Sequence, residues 1–415
     1  MGLNMKRIYR GVLIALGVMV LSWFLPWLYS MVFPSGVSDP FVAWSPVSDC
    51  FIVSDNSAEG KTRICSVDAL GRPVREYTKE ERDSLLPQIY FNQLMARETL
   101  PDSLKGKEVT IAGLKHGQWV FSSLPRDINR VMPEVYLIME SMPPRLDLED
   151  ASEVFTLHDR VEFTDMATNR VNRRRSQRFD EVFRERGFEY PLHSWSANVT
   201  TRKPRDEGYL LVDASGTAFH MKMQAGRPYM ERIPGPGSVE FDRVFVMENP
   251  ETRHLGLMTD TEGRMYVLER EGYRLTELPV GRVDPRRERI SVVKNLFNWV
   301  VKLSDGERAR WYALDSDDYS LLGAYELSYG VSGARRVAAW LFPFRLTFTD
   351  TADCLASPRI INVSARALYL NVVLAAALAF IMAGRRERRA TVASCSALTL
   401  IFGMFSFIPM ALIKD

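Results

Sequence analysis

The chain offers five histidines, His116, His158, His193, His220 and His254. None stands in a His-x-His, His-Glu-x-x-His or Cys-x-x-Cys pattern, the spacings that bring two zinc ligands together locally. They read as surface or strand residues. Ser332 lies in Tyr-Gly-Val-Ser-Gly, which lacks the second glycine of a nucleophile elbow. Asp315, Asp317 and Asp318 form an acidic turn. A calcium loop needs more oxygen ligands in series and a glycine at its sharp bend, so this reads as a solvated hairpin tip. Arg173–Arg175 with Arg178 is the strongest basic run away from the chain ends. It has the charge to hold a phosphate or an acidic glycan. Asp180, Glu181 and Glu185 stand close enough to neutralise it, and it reads as a turn leading into a helix. No Walker loop or dinucleotide-binding glycine fingerprint occurs. No catalytic, cofactor-binding or metal-ligating residue is therefore assigned, and no cofactor is expected.

The elements that would position any site are mostly strands. Tyr209–Val212 runs into Asp213-Ala-Ser-Gly216, and Leu255–Thr259 into Asp260-Thr-Glu-Gly263. Trp299–Ser304 runs into Asp305-Gly306. Each is an apolar strand, an Asp-to-Gly turn and a second strand, with glycine supplying the positive φ. A third and a fourth strand follow each hairpin, so four short strands recur about every 45 residues, the period of a propeller blade. Phe41–Trp44, Cys50–Ser54, Arg63–Val67 and Pro73–Tyr77 repeat the pattern near the start. Gln118–Ser123, Tyr136–Met142, Val154–His158 and Val161–Thr164 read as strands of the middle region. Lys79–Thr99, interrupted at Pro87, and Ser176–Arg186, with Ser176 as N-cap, read as helices. The expected fold is mainly β: an irregular β-propeller-like domain of five or six blades with helical insertions. A pair of β-sandwiches is the alternative.

Three uncharged apolar segments flank this domain: Gly11–Phe33, Ala367–Gly384 and Thr391–Ile413. Each is about long enough to cross a ~30 Å hydrocarbon core as a helix. Lys6, Arg7 and Arg10 precede the first, and Arg385, Arg386, Arg388 and Arg389 lie between the other two. Basic flanks stay cytoplasmic. The expected order is a cytoplasmic start (1–10), a first transmembrane helix (11–33), and an extracytoplasmic domain (34–366). A second helix (367–384), a cytoplasmic link (385–390), a third helix (391–413) and an outer tail follow. A cleaved signal peptide is the rival reading of the first segment. The aromatics Trp23, Trp27, Tyr29 and Phe33 at its outer end argue instead for an anchor. Ala375, Ala379, Ala393 and Ala397 are spaced for close packing of the last two helices. Asn371 either finds a partner helix or is wetted near the surface, and the wetted state is the expectation.

The whole chain carries 53 basic and 51 acidic residues. Without the membrane flanks the remainder is slightly acidic, which argues against a nucleic-acid partner. Cys50 and Cys65 would oppose one another in a hairpin centred on Asn56–Gly60. Whether they form a disulfide is left open. Cys354 has no evident mate, and Cys395 reads as packing.

Leu21-Ser-Trp-Phe-Leu-Pro-Trp-Leu-Tyr29, Val32-Phe-Pro, Asp39-Pro-Phe-Val-Ala-Trp-Ser-Pro-Val-Ser48 and Asp206-Glu-Gly-Tyr-Leu-Leu-Val-Asp213 resemble a family of uncharacterised membrane-anchored proteins of Bacteroidetes. The resemblance covers nearly the whole chain. That family carries no assigned activity, so it supplies no catalytic residues. Its members are often encoded beside ABC transporter components, which implies a membrane partner and an inner-membrane location with a periplasmic domain. The expected function is a non-enzymatic interaction domain, an accessory subunit of a membrane complex such as an ABC transporter. The alternatives are a periplasmic enzyme acting on glycans or peptides, with a site gathered from separate blades, and a sensor that signals through a membrane partner.

Overall fold

The computed structural model describes residues 2–34, 39–56, 62–68, 71–130, 132–145, 147–237, 239–330, 332–349 and 355–413. The chain divides into two compact units, Pro40–Ser328, and Met1–Asp39 with Tyr329–Asp415.

The first unit is built from five antiparallel sheets whose strands follow one another in chain order. Sheet I holds Phe41–Ser45, Cys50–Asn56, Thr62–Val67 and Pro73–Glu76. Sheet II holds Tyr136–Ile138, Glu153–Leu157, Val161–Asp165 and Arg170–Val171. Sheet III holds Ser194–Ala197, Tyr209–Val212, Ala218–Gln224 and Arg227–Arg232. Sheet IV holds Phe241–Val246, His254–Asp260, Met265–Glu269 and Leu275–Glu277. Sheet V holds Arg289–Lys294, Asn298–Ser304, Arg308–Asp315 and Leu321–Ser328. The expected β-rich repeat of four-stranded units is present. Among the described residues no sheet closes on itself.

The Asp-to-Gly turns explain why the unit repeats. Asp213 Oδ1 accepts the backbone N–H of Ser215 and Thr217, each at 2.9 Å. Asp260 Oδ1 accepts those of Glu262 and Arg264 at 3.0 and 2.8 Å. Both turns are closed by Gly216 or Gly263 at φ near +78°, where an L side chain is strained. The chain entering the next sheet then bonds to the turn: Phe241 N–H donates to Gly216 O at 2.8 Å, and Val283 N–H to Gly263 O at 2.9 Å. A Cβ on Gly216 would lie 2.8 Å from Glu240 Cβ. The glycine thus bends one hairpin and admits the approach of the following sheet.

Inner strands such as Tyr209–Val212 and Met265–Glu269 are buried at every residue, because neighbouring sheets cover both faces. Sheets II and III share a core around Phe155, Phe163, Tyr209 and Phe219, with Phe179 and Phe183 of the helix Arg173–Glu185. Sheets III and IV share Leu210, Val212, Leu255 and Met258. Sheets IV and V share Leu257, Val267, Trp299 and Val301. Phe51 of sheet I meets Tyr325 of sheet V, with ring centroids 6.0 Å apart.

Four expectations for this unit are corrected. The strand Trp119–Ser123 does not join the middle sheet; it pairs antiparallel with Arg289–Lys294 as a fifth strand of sheet V. The helix predicted from Ser176 begins at Arg173 and is capped by Asn172, whose side chain accepts Arg175 N–H. Ser176 instead accepts Phe163 N–H. The run Arg173–Arg175 is the helix's first turn rather than a turn before it. Cys50 and Cys65 do not face each other: Asn56 pairs with Thr62, which puts Cys65 opposite Val53, and both thiols are free. Cys354 lies outside the described residues. The break at Pro87 is as expected, with helices Lys79–Leu85 and Pro87–Ala96 on either side.

In the helical unit, Ile8–Val32 and Ala367–Gly384 are long and apolar enough to cross a membrane. The third apolar segment is not one helix. It forms Arg389–Phe402 and Met404–Leu412, broken at Gly403, which has φ +56° and ψ −132°. The second piece turns back. Its Phe405 meets Phe342 and Phe344, its Pro409 rests on Gly17, and its Met410 and Ala411 pack on Leu378, Met382, Val392 and Cys395. Ala411 O accepts Arg385 Nη2–H at 2.7 Å, so the described chain ends beside the arginine link rather than at the opposite end. Asn371 is buried rather than wetted and donates through Nδ2 to Leu400 O at 3.0 Å. That carbonyl lies in the last turn of Arg389–Phe402, which has no partner further along the helix. Ala375 is buried as expected, but Ala393 and Ala397 are exposed.

Candidate functional site

The densest chemistry lies where sheets III, IV and V meet. Three segments build it: the loop 198–208 before the second strand of sheet III, the loop 247–253 at the same position in sheet IV, and the turn 270–274. Gly208, at φ +64°, would carry a Cβ 2.3 Å from Met221 O. Only glycine lets this loop run so close to the next strand, and that proximity brings Glu207 under Lys222.

Glu207 is 1% exposed. Its carboxylate accepts from Arg205 Nε at 2.7 Å, Lys222 Nζ at 3.1 Å and Arg270 Nη2. Burial alone would raise this carboxyl; the hydrogen bond from Arg270 and the charges of Lys222 and Arg270 outweigh it and bring it down to about 2. Glu248 accepts from Lys203 Nζ at 2.8 Å, Glu207 N–H at 2.6 Å and Asn198 Nδ2 at 3.0 Å. Burial wins there, and its carboxyl is raised. Lys203 also reaches Asp206 at 2.5 Å, and Asp206 accepts from Ser141 at the end of sheet II.

His220 Nε2 lies 2.7 Å from Glu207 O and must donate to it, since a carbonyl only accepts. Burial, reinforced by the nearby Lys222 charge, lowers the imidazole to about 4. In the neutral ring Nδ1 is then the acceptor. It takes the Tyr273 hydroxyl proton at 2.7 Å, and Tyr229 donates to Tyr273 at 2.8 Å.

Towards sheet V, Glu251 accepts from Lys294 Nζ at 2.6 Å and Trp119 Nε1 at 3.0 Å. Burial opposes its ionisation, but His254 and Lys294 hold it at about 2. His254 Nδ1 stands 3.5 Å from Glu251 Oε1, an ion-pair distance rather than a formed hydrogen bond. Its Nε2 is 3.0 Å from the Tyr319 hydroxyl, which donates to Glu269 at 2.6 Å. Glu269 also binds Arg253 and Arg274, and Arg253 reaches Asp317 O at 2.8 Å.

Neighbouring carboxylates shifted in opposite directions are the pattern of an acid–base pair. Here both are sealed, and protein donors occupy the oxygens of each. The arrangement fastens three sheets together. Among the described residues, no group of three or more His, Cys, Asp or Glu side chains is placed to hold a metal ion.

The residues weighed from sequence scatter. His116 is exposed at a helix end, His158 faces Glu134 and His193 faces Asp242, each at 2.9 Å. Ser332 caps the helix Gly333–Leu341 by accepting Arg335 N–H. Asp315 accepts Asp317 N–H at 2.8 Å, a plain turn. Only His220 and His254 enter the network, as strand residues. The signal that could have found the rest is the charge density of Lys203–Glu207 directly before a wholly apolar strand.

A family model described as a domain of unknown function (DUF4857) matches residues 41–314. The chain belongs to that family. The match ends inside the third strand of sheet V and includes the ionic network except Asp317 and Tyr319. No curated protein matches the sequence. Similar solved structures include the β-propeller domain of Cps50 (Swd1) from Myceliophteria thermophila, at 12% identity, 52% of this chain, 60% of that one and TM-score 0.26. The Dos1 propeller is 10% identical over 70% of this chain and 62% of that one, with TM-score 0.27. Apo AztD from Citrobacter koseri is 11% identical over 75% and 61%, with TM-score 0.26. The chain spans about six tenths of the length of these structures.

Proposed function

We propose that this DUF4857 protein is a membrane-anchored interaction subunit of the inner membrane. Its β unit faces the periplasm, and its partner is an integral membrane protein such as an ABC transporter subunit. The observation that carries this reading is the helical unit. Among the described residues two helices are of spanning length and the third apolar segment folds back, too few crossings to line a transport path alone. The basic clusters Lys6–Arg10 and Arg385–Arg389 support a cytoplasmic location for the same side of both helices. The β unit binds rather than catalyses: its densest charged cluster is consumed by its own hydrogen bonds.

The test is purification of the tagged full-length protein from native membranes in mild detergent, with mass spectrometry. Stoichiometric recovery of an integral membrane partner supports the reading, and transporter subunits make it specific. A single-component preparation, under conditions that preserve other membrane complexes, overturns it. The enzymatic alternative is favoured by one observation, the opposed shifts of Glu207 and Glu248. It requires that a glycan or peptide substrate be turned over by the purified protein and spared by a Glu248→Gln variant.

A further inference from the structure

The helix Gly333–Leu341 is two-sided. At 100° per residue Trp340, Gly333, Val337, Leu341 and Ala334 share one arc, while Arg335 and Arg336 leave the helix outside it. Its position within the helical unit is fixed by three contacts. Tyr29, in the last turn of the N-terminal helix, donates to Ala334 O at 3.1 Å. The same Tyr29 ring meets Phe342 edge-on at 5.7 Å. Ser364, just before the helix Ala367–Gly384, donates to Ala339 O at 2.7 Å. The short helix therefore lies at the ends of both long helices that are remote from Arg385–Arg389.

Half of its apolar arc is left bare. Val337 is 50% exposed and Trp340 48%, and the Trp340 ring meets that of Tyr369, 71% exposed, at a tilt with centroids 5.6 Å apart. Tyr369 opens the apolar surface of Ala367–Gly384, which continues through Val372, Val373 and Phe380, all exposed. Ile360 and Val363 add further bare apolar surface in the segment leading to that helix. Arg335, Arg336 and Arg366 are exposed at the same level.

The geometry points to Gly333–Leu341 as an interfacial helix seated in the headgroup and acyl boundary of the phospholipid bilayer. This inference rests on the membrane reading of the two long helices and adds a second, in-plane contact. A bare patch this size is a liability in water. In the bilayer boundary it is the arrangement that suits Trp and Tyr, which combine an apolar body with a polar tip. An amphipathic helix with arginines on its polar side lies in that plane, its guanidinium groups on lipid phosphates. Continuity with the long helices favours lipid over protein, because Tyr369 and Trp340 extend the surface that any surrounding bilayer already covers.

The test places an environment-sensitive nitrobenzoxadiazole label on Val337→Cys in the full chain, reconstituted in phosphatidylcholine/phosphatidylglycerol nanodiscs. The signal of identically treated parent protein is subtracted. Trp340→Cys serves as a second site, and Glu307→Cys, on an exposed turn of the β unit, reports water. The expected result is blue-shifted emission at 337 and 340, quenched more strongly by a nitroxide near the lipid headgroup than by one deep in the chain. Water-like emission matching Glu307→Cys overturns the inference, and so does blue-shifted emission that no lipid nitroxide quenches, which assigns the patch to protein. Carbonate extraction of native membranes separates the two failures. If the chain stays with the membrane while 337 is wet, only the interfacial helix fails; if the chain is extracted, the membrane reading fails with it.

Discussion

His220 makes the stability of the β unit depend on pH between the pKa values of its folded and unfolded ring. In the folded protein the ring is neutral down to about pH 4, because burial and the Lys222 charge disfavour the imidazolium. Once unfolded, the same ring titrates near 6.5. Between these values the unfolded chain binds the extra proton, so stability falls as the pH falls. From pH 7 to pH 5 this one residue removes about 2 kcal/mol, and the loss continues until the folded ring itself protonates near pH 4. A His220→Gln variant isolates the effect. Its amide can donate to Glu207 O and accept from Tyr273, and it has no proton to gain. The assay is chemical denaturation of the full chain in detergent, followed by tryptophan fluorescence at pH 7, 6 and 5. The expected outcome is a decline between pH 7 and 5 that is about 2 kcal/mol smaller in the variant. Equal declines in the two proteins refute the assignment of a neutral, buried His220.

Glu207→Gln leaves Arg205, Lys222 and Arg270 around a neutral acceptor, and is expected to cost about 3 kcal/mol at pH 7 in the same denaturation assay. The parent holds this stabilisation above pH 4.5 and loses it as the pH falls towards 2, because the folded carboxyl is depressed; the variant does not show that loss. Gly403→Ala places a Cβ 2.2 Å from Asn371 Oδ1 at a backbone conformation suited to glycine. It is expected to lower the detergent melting temperature by the equivalent of about 1–3 kcal/mol or more, and an unchanged melt contradicts the fold-back. Cys65 is buried and free. Maleimide should modify it only after unfolding, without reductant, and recovery of a Cys50–Cys65 crosslinked peptide would contradict the register. Asp260→Ala removes the acceptor for two turn N–H groups, Arg264 and Tyr266, and is expected to cost about 2 kcal/mol.

The parts that were legible in the sequence are those written in local chemistry. An Asp that accepts its own turn's N–H groups, followed by a glycine at positive φ, needs no distant partner, so sheets I, III, IV and V could be read strand by strand. Pro87 and the charges of Lys79–Arg82 delimit two helices in the same way. Trp119–Ser123 looks like any other strand, and nothing within it says that its partner is Arg289–Lys294. The ionic network was hidden for the same reason, since Glu207, Glu248, Glu251 and Glu269 meet their cations across three sheets. The fold-back at Gly403 rests on one glycine in a uniformly apolar run. Hydropathy measures the length of such a run and is blind to a reversal inside it. Asn371 was the clue, because a buried amide in apolar surroundings calls for a backbone carbonyl left without its helical partner.

The strand Trp119–Ser123 has a consequence for the order of assembly. It is made before sheets II, III and IV, yet its hydrogen-bonding partner emerges about 170 residues later. Until then Trp119–Ser123, the end strand of sheet V, lacks the strand it pairs with in the folded sheet. Completion of sheet V is therefore a late, long-range step that locks early chain to late chain. A cut between Ile128 and Tyr136 would leave two fragments still held by this strand, and a chain stopped short of Arg289 would expose an open strand edge to whatever receives it.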